Sequence, residues 1–242
     1  MIEKYAGFKV IGEPFQLFSL SHIVMLLLLV STVVAFYLLR NSISGSGRRI
    51  IRYFLAGLLL VSELTLYIWY SYTGVWNPVD SLPFQLCSIS LMLSIVMLFT
   101  RNFLLFEVTL FLGVGGALQA MITPELAYDF PHYRYFHFFL AHIAIILASL
   151  YMIWFEGYRP TMKSVWKAFG ALNVLAVFVF IVNKWTGGNY MFLSRKPTNP
   201  SLIDLLGPYP WYLLSLEVAA LGIFCLIYLP FAFVEEKKRA RA

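Results

Sequence analysis

The sequence predicts an all-α, polytopic membrane protein: a seven-transmembrane-helix bundle with its N-terminus out and its C-terminus cytoplasmic. Three observations predict it. Hydrophobic residues make up 60% of the 242-residue chain and charged residues 12%, with a mean hydropathy of +0.77, whereas a soluble domain is about 25% charged. The apolar residues fall into seven runs, 20–39, 51–72, 83–99, 103–122, 135–155, 165–184 and 211–233, each close to the ~20 residues that a helix needs to cross a bilayer. Lys and Arg then alternate in density between the connections, with twelve on one side and six on the other, and the denser side is expected to face the cytoplasm.

The first run follows Glu13-Pro14 and has neither a basic leader nor an A-x-A site, so it reads as a retained helix and not a cleaved signal. The connection to the second run carries Arg40, Arg48, Arg49 and Arg52. The third run opens at Pro83, a residue suited to a first helical turn, with Asp80 or Ser81 as cap. Only Thr100-Arg101-Asn102 separates it from the fourth, which implies a tight hairpin. Arg101, then Arg159, Lys163 and Lys167, then the tail residues Lys237, Lys238, Arg239 and Arg241 complete the cytoplasmic set. Lys4, Lys9, Arg134, Lys184, Arg195 and Lys196 fall outside. The net charge of +6 is thus a topology signal and a contact for anionic lipid heads, not a nucleic-acid footprint. An outer loop, 185–210, joins the last two runs. It is too apolar for a solvated linker, and a connection of that length is usually functional, so it should fold over the outer mouth of the bundle. Residues 1–242 read as a single membrane domain.

Polar groups inside a bilayer are costly and mark candidate sites. Pro83, Cys87, Ser90 and Ser94 recur on one face of the third run, and Glu63, Tyr67 and Tyr70 on one face of the second. Gln119 lies in the outer half of the fourth run, His137 and His142 in the fifth, and Glu217 in the seventh. Each has an ordinary reading beside the functional one. Small residues such as Cys87, Gly113, Gly116, Ala117 and Ala120 let membrane helices approach, a Glu can fasten two helices, and His22 reads as an interfacial anchor. Trp211, Tyr209 and Tyr212 read as an aromatic belt. His132, His137 and His142 are spaced five apart, turning about 140° each time, so they do not form a metal motif. No Walker loop or nucleotide fingerprint appears, and no cofactor is called for. The two cysteines lie at different depths and should stay free. A thiol near a helix N-terminus can be activated, and the histidines of the fifth run lie at a depth that would let them meet it.

The stretches Gly187-Gly-Asn-Tyr-Met-Phe-Leu-Ser-Arg-Lys-Pro197, Leu206-Gly-Pro-Tyr-Pro-Trp-Tyr212, Leu82-Pro-Phe-Gln-Leu-Cys-Ser88 and Tyr133-Arg-Tyr-Phe-His-Phe-Phe-Leu-Ala-His142 resemble the YwaF-type bacterial integral membrane proteins, relatives of the eukaryotic transmembrane-protein-164 family. That resemblance implies a plasma-membrane acyltransferase that moves a fatty acyl chain between phospholipid and lysophospholipid through a cysteine thioester, its active site toward the outer leaflet. Carried onto this chain it makes Cys87 the nucleophile and His142 the base, with His137 second. Phospholipid would enter a cavity lined by Glu63 and Tyr67. Ser90, Gln119, Asn189 or Tyr190 would donate to the oxyanion, and Arg195 and Lys196 would hold the phosphate. The competing reading is a transporter or ligand-binding seven-helix protein that uses Glu63 and the outer-half histidines.

Overall fold

The computed structural model describes residues 2–11, 13–197 and 202–239 and, within them, every side chain except those of Ile2, Leu202 and 234–239. All regular structure there is helical: α1 (Ile2–Ala6), α2 (Leu20–Leu39), α3 (Gly45–Thr73), α4 (Leu86–Thr100), α5 (Phe103–Ile122), α6 (Tyr133–Trp154), α7 (Met162–Thr186) and α8 (Trp211–Arg239). Two 3₁₀ turns, Tyr190–Phe192 and Leu202–Leu206, lie in the long loop. Among the described residues six helices are long and apolar enough to cross a membrane, and α4 is a shorter apolar helix. The end of the bundle that holds the α4–α5 turn is called the turn end below, and the opposite end the loop end. Residues 198–201 of the outer loop lie outside the described residues, as do Arg241 and the side chains of Lys237, Lys238 and Arg239.

The helix limits follow from local capping. Ser19 Oγ accepts from His22 N at 3.4 Å and starts α2. Asn102 Oδ1 accepts from Leu105 N at 3.1 Å and starts α5. The second run begins at Gly45 instead of 51, because Ser44 Oγ accepts from Gly47 N at 3.2 Å. It stops at Gly74, which takes the left-handed conformation (φ 68°) that a glycine adopts without a Cβ clash. The fifth run starts earlier than expected, at Tyr133, because the ring of His132 caps it by accepting from Arg134 N at 3.1 Å. The sixth run extends to Met162–Thr186, and the last continues through Pro230 to Arg239.

The third run departs most from expectation. Pro83 is not in a first helical turn, and neither Asp80 nor Ser81 caps the helix, which begins at Leu86. A proline disfavours the helical region for the residue before it, and the preceding caps are spent on a local turn. Ser81 Oγ accepts from Asn77 N at 3.1 Å and donates to Asp80 Oδ1 at 3.2 Å.

Helices α5 and α6 form the buried centre, with Phe106, Phe111, Phe139, Ala144 and Met152 fully enclosed. On one side α3, α4 and α6 pack mutually; on the other, α7 and α8 pack against α5. Polar clamps, one buried at Glu107 and one exposed at Asn173, hold this order. Glu107 accepts from Ser164 Oγ at 2.7 Å and from Lys167 Nζ at 2.7 and 3.0 Å, tying α5 to α7. Asn173 Nδ2 donates to Glu217 Oε2 at 2.9 Å, tying α7 to α8. His22 is not an interfacial anchor. It is fully buried, accepts from Phe18 N at 3.0 Å on Nδ1 and bonds Met121 O at 2.8 Å through Nε2. Tyr209 and Trp211 are exposed as a belt requires, but Tyr212 is buried and donates to Phe192 O.

Candidate active site

The start of α4 lies inside the bundle, not at its rim. At 1.5 Å per residue, the 15 residues of α4 span about 22 Å, short of the ~30 Å hydrocarbon thickness. Leu86 and Cys87 sit beside Gly116 of α5: a Cβ placed there would lie 3.3 Å from Leu86 Cδ2 and 3.8 Å from Cys87 Sγ. Gly116 is six residues short of the end of α5 at Ile122, so the thiol lies about 9 Å below that end.

This helix start is uncapped. Gln85 occupies the cap position, but its side-chain Oε1 accepts from Met191 N at 3.0 Å and does not cap the helix. The first bond of the helix is Ile89 N to Gln85 O at 3.1 Å. The N–H groups of Leu86, Cys87 and Ser88 therefore have no acceptor among the described residues. Unpaired donors inside a helix bundle persist where they line a cavity or a site. Cys87 is the second residue of its helix, closer to the positive end of the dipole than a start at Pro83 would have placed it.

A layered packing brings His142 to the same level. Gly113 of α5 lies against Ser90 of α4 and Ile145 of α6, its virtual Cβ 3.6 Å from Ser90 Cβ and 3.1 Å from Ile145 Cγ2. One turn toward the loop end, the corresponding residues are Gly116, Cys87 and His142, because α4 and α6 run opposite to α5. The glycines make the close approach possible. Cys87 and His142 thus share a layer, although no hydrogen bond joins them. Both cysteines are free thiols, and Cys225 packs on the aliphatic core.

Hydrogen bonding separates the histidines. His142 Nδ1 contacts Phe138 O at 2.6 Å. A carbonyl can only accept, so Nδ1 carries the proton and Nε2 the lone pair, and Nε2 has no hydrogen bond among the described residues. His137 has both nitrogens engaged: Arg134 Nη1 lies 3.1 Å from Nδ1, and Nε2 lies 3.1 Å from Ser62 O. Arginine can only donate, so that lone pair is spent. His132 is also saturated, accepting from Arg134 N and bonding Gly7 O at 3.0 Å. Among the described residues no group of three or more His, Cys, Asp or Glu could hold a metal ion.

The remaining candidates divide in the same way. Asn189 Oδ1 accepts from Ser194 N (3.1 Å) and Arg195 N (2.9 Å), and its Nδ2 donates to Arg195 O at 2.9 Å. Tyr190 is fully buried, donates to Pro78 O at 2.8 Å and accepts from Leu82 N at 2.9 Å. Both residues fold the loop: the hydroxyl of Tyr190 is saturated, whereas Asn189 Nδ2 keeps one of its two N–H donors unused. Ser90 Oγ is fully buried and unpartnered. Gln119 Nε2 donates to Thr123 Oγ1 at 2.6 Å. Glu63 has a buried, unbonded Oε1 within electrostatic reach of Arg134, and Tyr67 packs edge-on against Tyr70, ring centroids 6.1 Å apart. Arg195 and Lys196 line a cleft of about 190 Å³ with Asp80, Gln85, Glu125 and Asn189, and Gln85 is two positions from Cys87. Lys196 Nζ also donates to Asp204 O at 3.2 Å.

Sequence reasoning missed the backbone donors of 86–88 and the part played by Arg134, which fixes His137 and packs over the Trp69 ring at 5.4 Å. The three-residue spacing of Arg134 and His137 at a helix start was the available signal.

The family model of the TMEM164 family matches residues 17–228, most of the chain and all of the layer described above, and the chain belongs to that family. No curated protein and no solved structure matches it.

Proposed function

We propose that this member of the TMEM164 family is a cysteine-dependent membrane acyltransferase that moves a fatty acyl chain between phospholipid and lysophospholipid. One observation carries the reading: a thiol at the second position of an uncapped helix start inside the bundle, level with an imidazole whose Nε2 is free. Packing alone requires neither the unpaired amides nor the free lone pair.

In the proposed reaction the donor phospholipid enters from the membrane between α3, α4 and α6, past Glu63 and Tyr67, with its phosphate in the cleft of Arg195 and Lys196. His142 Nε2 takes the Cys87 proton, held in the correct tautomer by the Nδ1–H bond to Phe138 O. The sulfur adds to the ester carbonyl carbon, and the electron pair moves onto oxygen. The N–H groups of Cys87 and Ser88 stabilise that oxyanion, with Ser90 and Gln119 as further donors. Collapse breaks the bond to the glycerol oxygen, which takes the proton from His142 and leaves as lysophospholipid. The thioester then accepts the hydroxyl of a second lysophospholipid by the reverse sequence. The loop clamped by Tyr190 and Gln85 excludes water and favours transfer over hydrolysis. His137, saturated by Arg134 and Ser62, positions and does not take the proton.

The same reading makes α4 a seventh membrane crossing within one 1–242 domain, its loop end at the outer leaflet of a bacterial plasma membrane, in a protein of the YwaF type. The unbonded oxygen of Glu63 favours a second reading, an ion or ligand path through Glu63 and the histidines.

The test uses nanodiscs with a phospholipid labelled in one acyl chain plus unlabelled lysophospholipid. Label transfer and a thioester on Cys87, read by mass spectrometry, are expected in wild type and lost in Cys87→Ala. His142→Ala should slow transfer by about 10²–10⁴-fold, the usual contribution of a positioned base. Folded wild type that neither transfers label nor forms an adduct, together with loss of ion or ligand flux in Glu63→Gln, would select the second reading.

A further inference from the structure

A second polar cleft lies at the turn end, away from Cys87 and independent of its chemistry. Its volume is about 240 Å³, and Arg48, Arg49, Arg52 and Arg101 converge on it with Tyr151 and Glu156. Four guanidinium groups face one carboxylate, an excess of three positive charges.

That carboxylate offsets one charge and forms no tight hydrogen-bonded pair with either neighbour. Glu156 Oε1 is 3.9 Å from Arg52 Nη1 and Oε2 is 3.7 Å from Arg101 Nη1, both beyond the ~2.7–2.9 Å of a charge-assisted hydrogen bond. Tyr151 OH donates to Oε1 at 3.2 Å and holds the carboxylate between the two arginines. Arg49 has no partner among the described residues, and Arg48 is engaged only through Nε, to Ile43 O at 3.3 Å, and over the Phe155 ring.

Two features go beyond what charge-directed topology requires. Exposed loop arginines suffice to orient a membrane protein, yet Arg52 lies two turns inside α3, is 8% exposed, and has a buried Nε without a partner. A buried, unpaired guanidinium nitrogen is unfavourable unless something fills it. Arg101 occupies the left-handed position that ends α4 (φ 53°), where glycine or asparagine is normally preferred. Its backbone is fixed there by Tyr158 OH donating to its carbonyl. An arginine kept in a conformation that favours glycine indicates that its side chain is what the position needs.

We propose that this cleft is a phosphate-binding site, taking either the head group of an anionic phospholipid in the adjoining leaflet or a soluble phosphate. Planar guanidinium groups from α3 and from the α4–α5 turn match the oxygens of one phosphate, and the position beside a membrane border suits a lipid head.

The test uses the full chain in phosphatidylcholine nanodiscs with or without phosphatidylglycerol, reading retained lipid by native mass spectrometry. In a separate arm, inorganic phosphate is titrated into the phosphatidylcholine sample, with melting temperature as the readout. Wild type should retain one phosphatidylglycerol or be stabilised by phosphate. Arg101→Gly should weaken that response by about tenfold, the loss of one charge-assisted contact, and the paired change Arg48→Ala with Arg49→Ala should do so too. Arg101→Gly is the informative variant because its backbone conformation favours the new residue, so folding is not at risk. Lipid retention without a phosphate response assigns a lipid head, and a phosphate response without lipid retention assigns a soluble ligand. No response in either arm, or one that Arg101→Gly leaves unchanged, overturns the proposal.

Discussion

Helix α5 carries two polar regions that treat hydrogen bonding in opposite ways. Near its start, Glu107 is 2% exposed and accepts three bonds from Ser164 and Lys167. Nine residues on, at Gly116, the neighbouring layer holds the Cys87 thiol, the unpaired amides of 86–88 and the free Nε2 of His142. Buried polar groups that serve only the fold are normally satisfied, and the Glu107 clamp obeys that rule. Around Cys87, Ser90 departs from it with a buried, unpartnered Oγ, and the amides of half-buried 86–88 and the Nε2 of His142 are left unbonded beside saturated neighbours, His137 and Tyr190. On the proposed reading, the difference separates groups that hold the bundle together from groups kept available for a reactant.

The sharpest way to break this comparison is at the clamp. Glu107→Ala should cost about 2–3 kcal/mol, because it leaves buried Ser164 and half-exposed Lys167 without their acceptor. Transfer per folded molecule should stay unchanged. His142→Ala should show the reverse, lost turnover at nearly unchanged melting temperature. Thermal unfolding in detergent, set beside label transfer normalised to folded protein, checks both. Equal losses of stability in the two variants would remove the distinction.

Tyr190→Phe comes next, at about 1–2 kcal/mol, since it orphans Leu82 N and removes the bond to Pro78 O. The tyrosine fixes the segment that leads into α4, so stability and transfer should fall together. Stability lost with transfer intact would mean that the loop clamp does not place the thiol.

These contrasts mark where the sequence could be read and where it could not. The ends of α2 and α5 were legible because Ser19 and Asn102 cap them locally, immediately ahead of the apolar run. The start of α4 was not: Pro83 suggested a first turn, but the helix start is decided by Asn77 drawing Ser81 away and by Met191 occupying Gln85, a contact between residues 106 apart in sequence. Cys87 and His142 could be named as a pair at compatible depth. The lone pair that distinguishes His142 from His137 is taken up in His137 by Arg134 Nη1, once Ser62 O, 75 residues from His137, holds the Nε2 proton. Buried clamps such as Glu107–Lys167 were invisible for the same reason, since periodicity places a residue on a face and does not supply its partner. The arginine cleft was legible as charge but not as a cleft, because Arg48 and Arg49 read as loop residues until the Ser44 cap draws them into α3 beside Arg52.

The smallest expected effect concerns the saturated loop end. His132 lies outside the membrane-spanning segment, and its pKa is lowered from 6.5, first by burial and then by the charge of Arg134, while its bond to Gly7 O opposes the shift. Its Nδ1 must stay unprotonated to accept from Arg134 N, and its other nitrogen pins the N-terminal segment through Gly7. The folded state therefore binds fewer protons than the unfolded chain as pH falls below 6.5. Stability is fully present above that value and declines as pH drops toward the lower folded pKa. Hydrogen exchange at residues 6–8 should accelerate between neutral pH and mildly acidic pH, beyond the intrinsic pH dependence of exchange. Asparagine also caps helices well but does not titrate, so His132→Asn should give exchange that is faster at neutral pH and free of the additional acid response. An acid response that persists in the variant would assign the titration to another group and leave His132 as a cap alone.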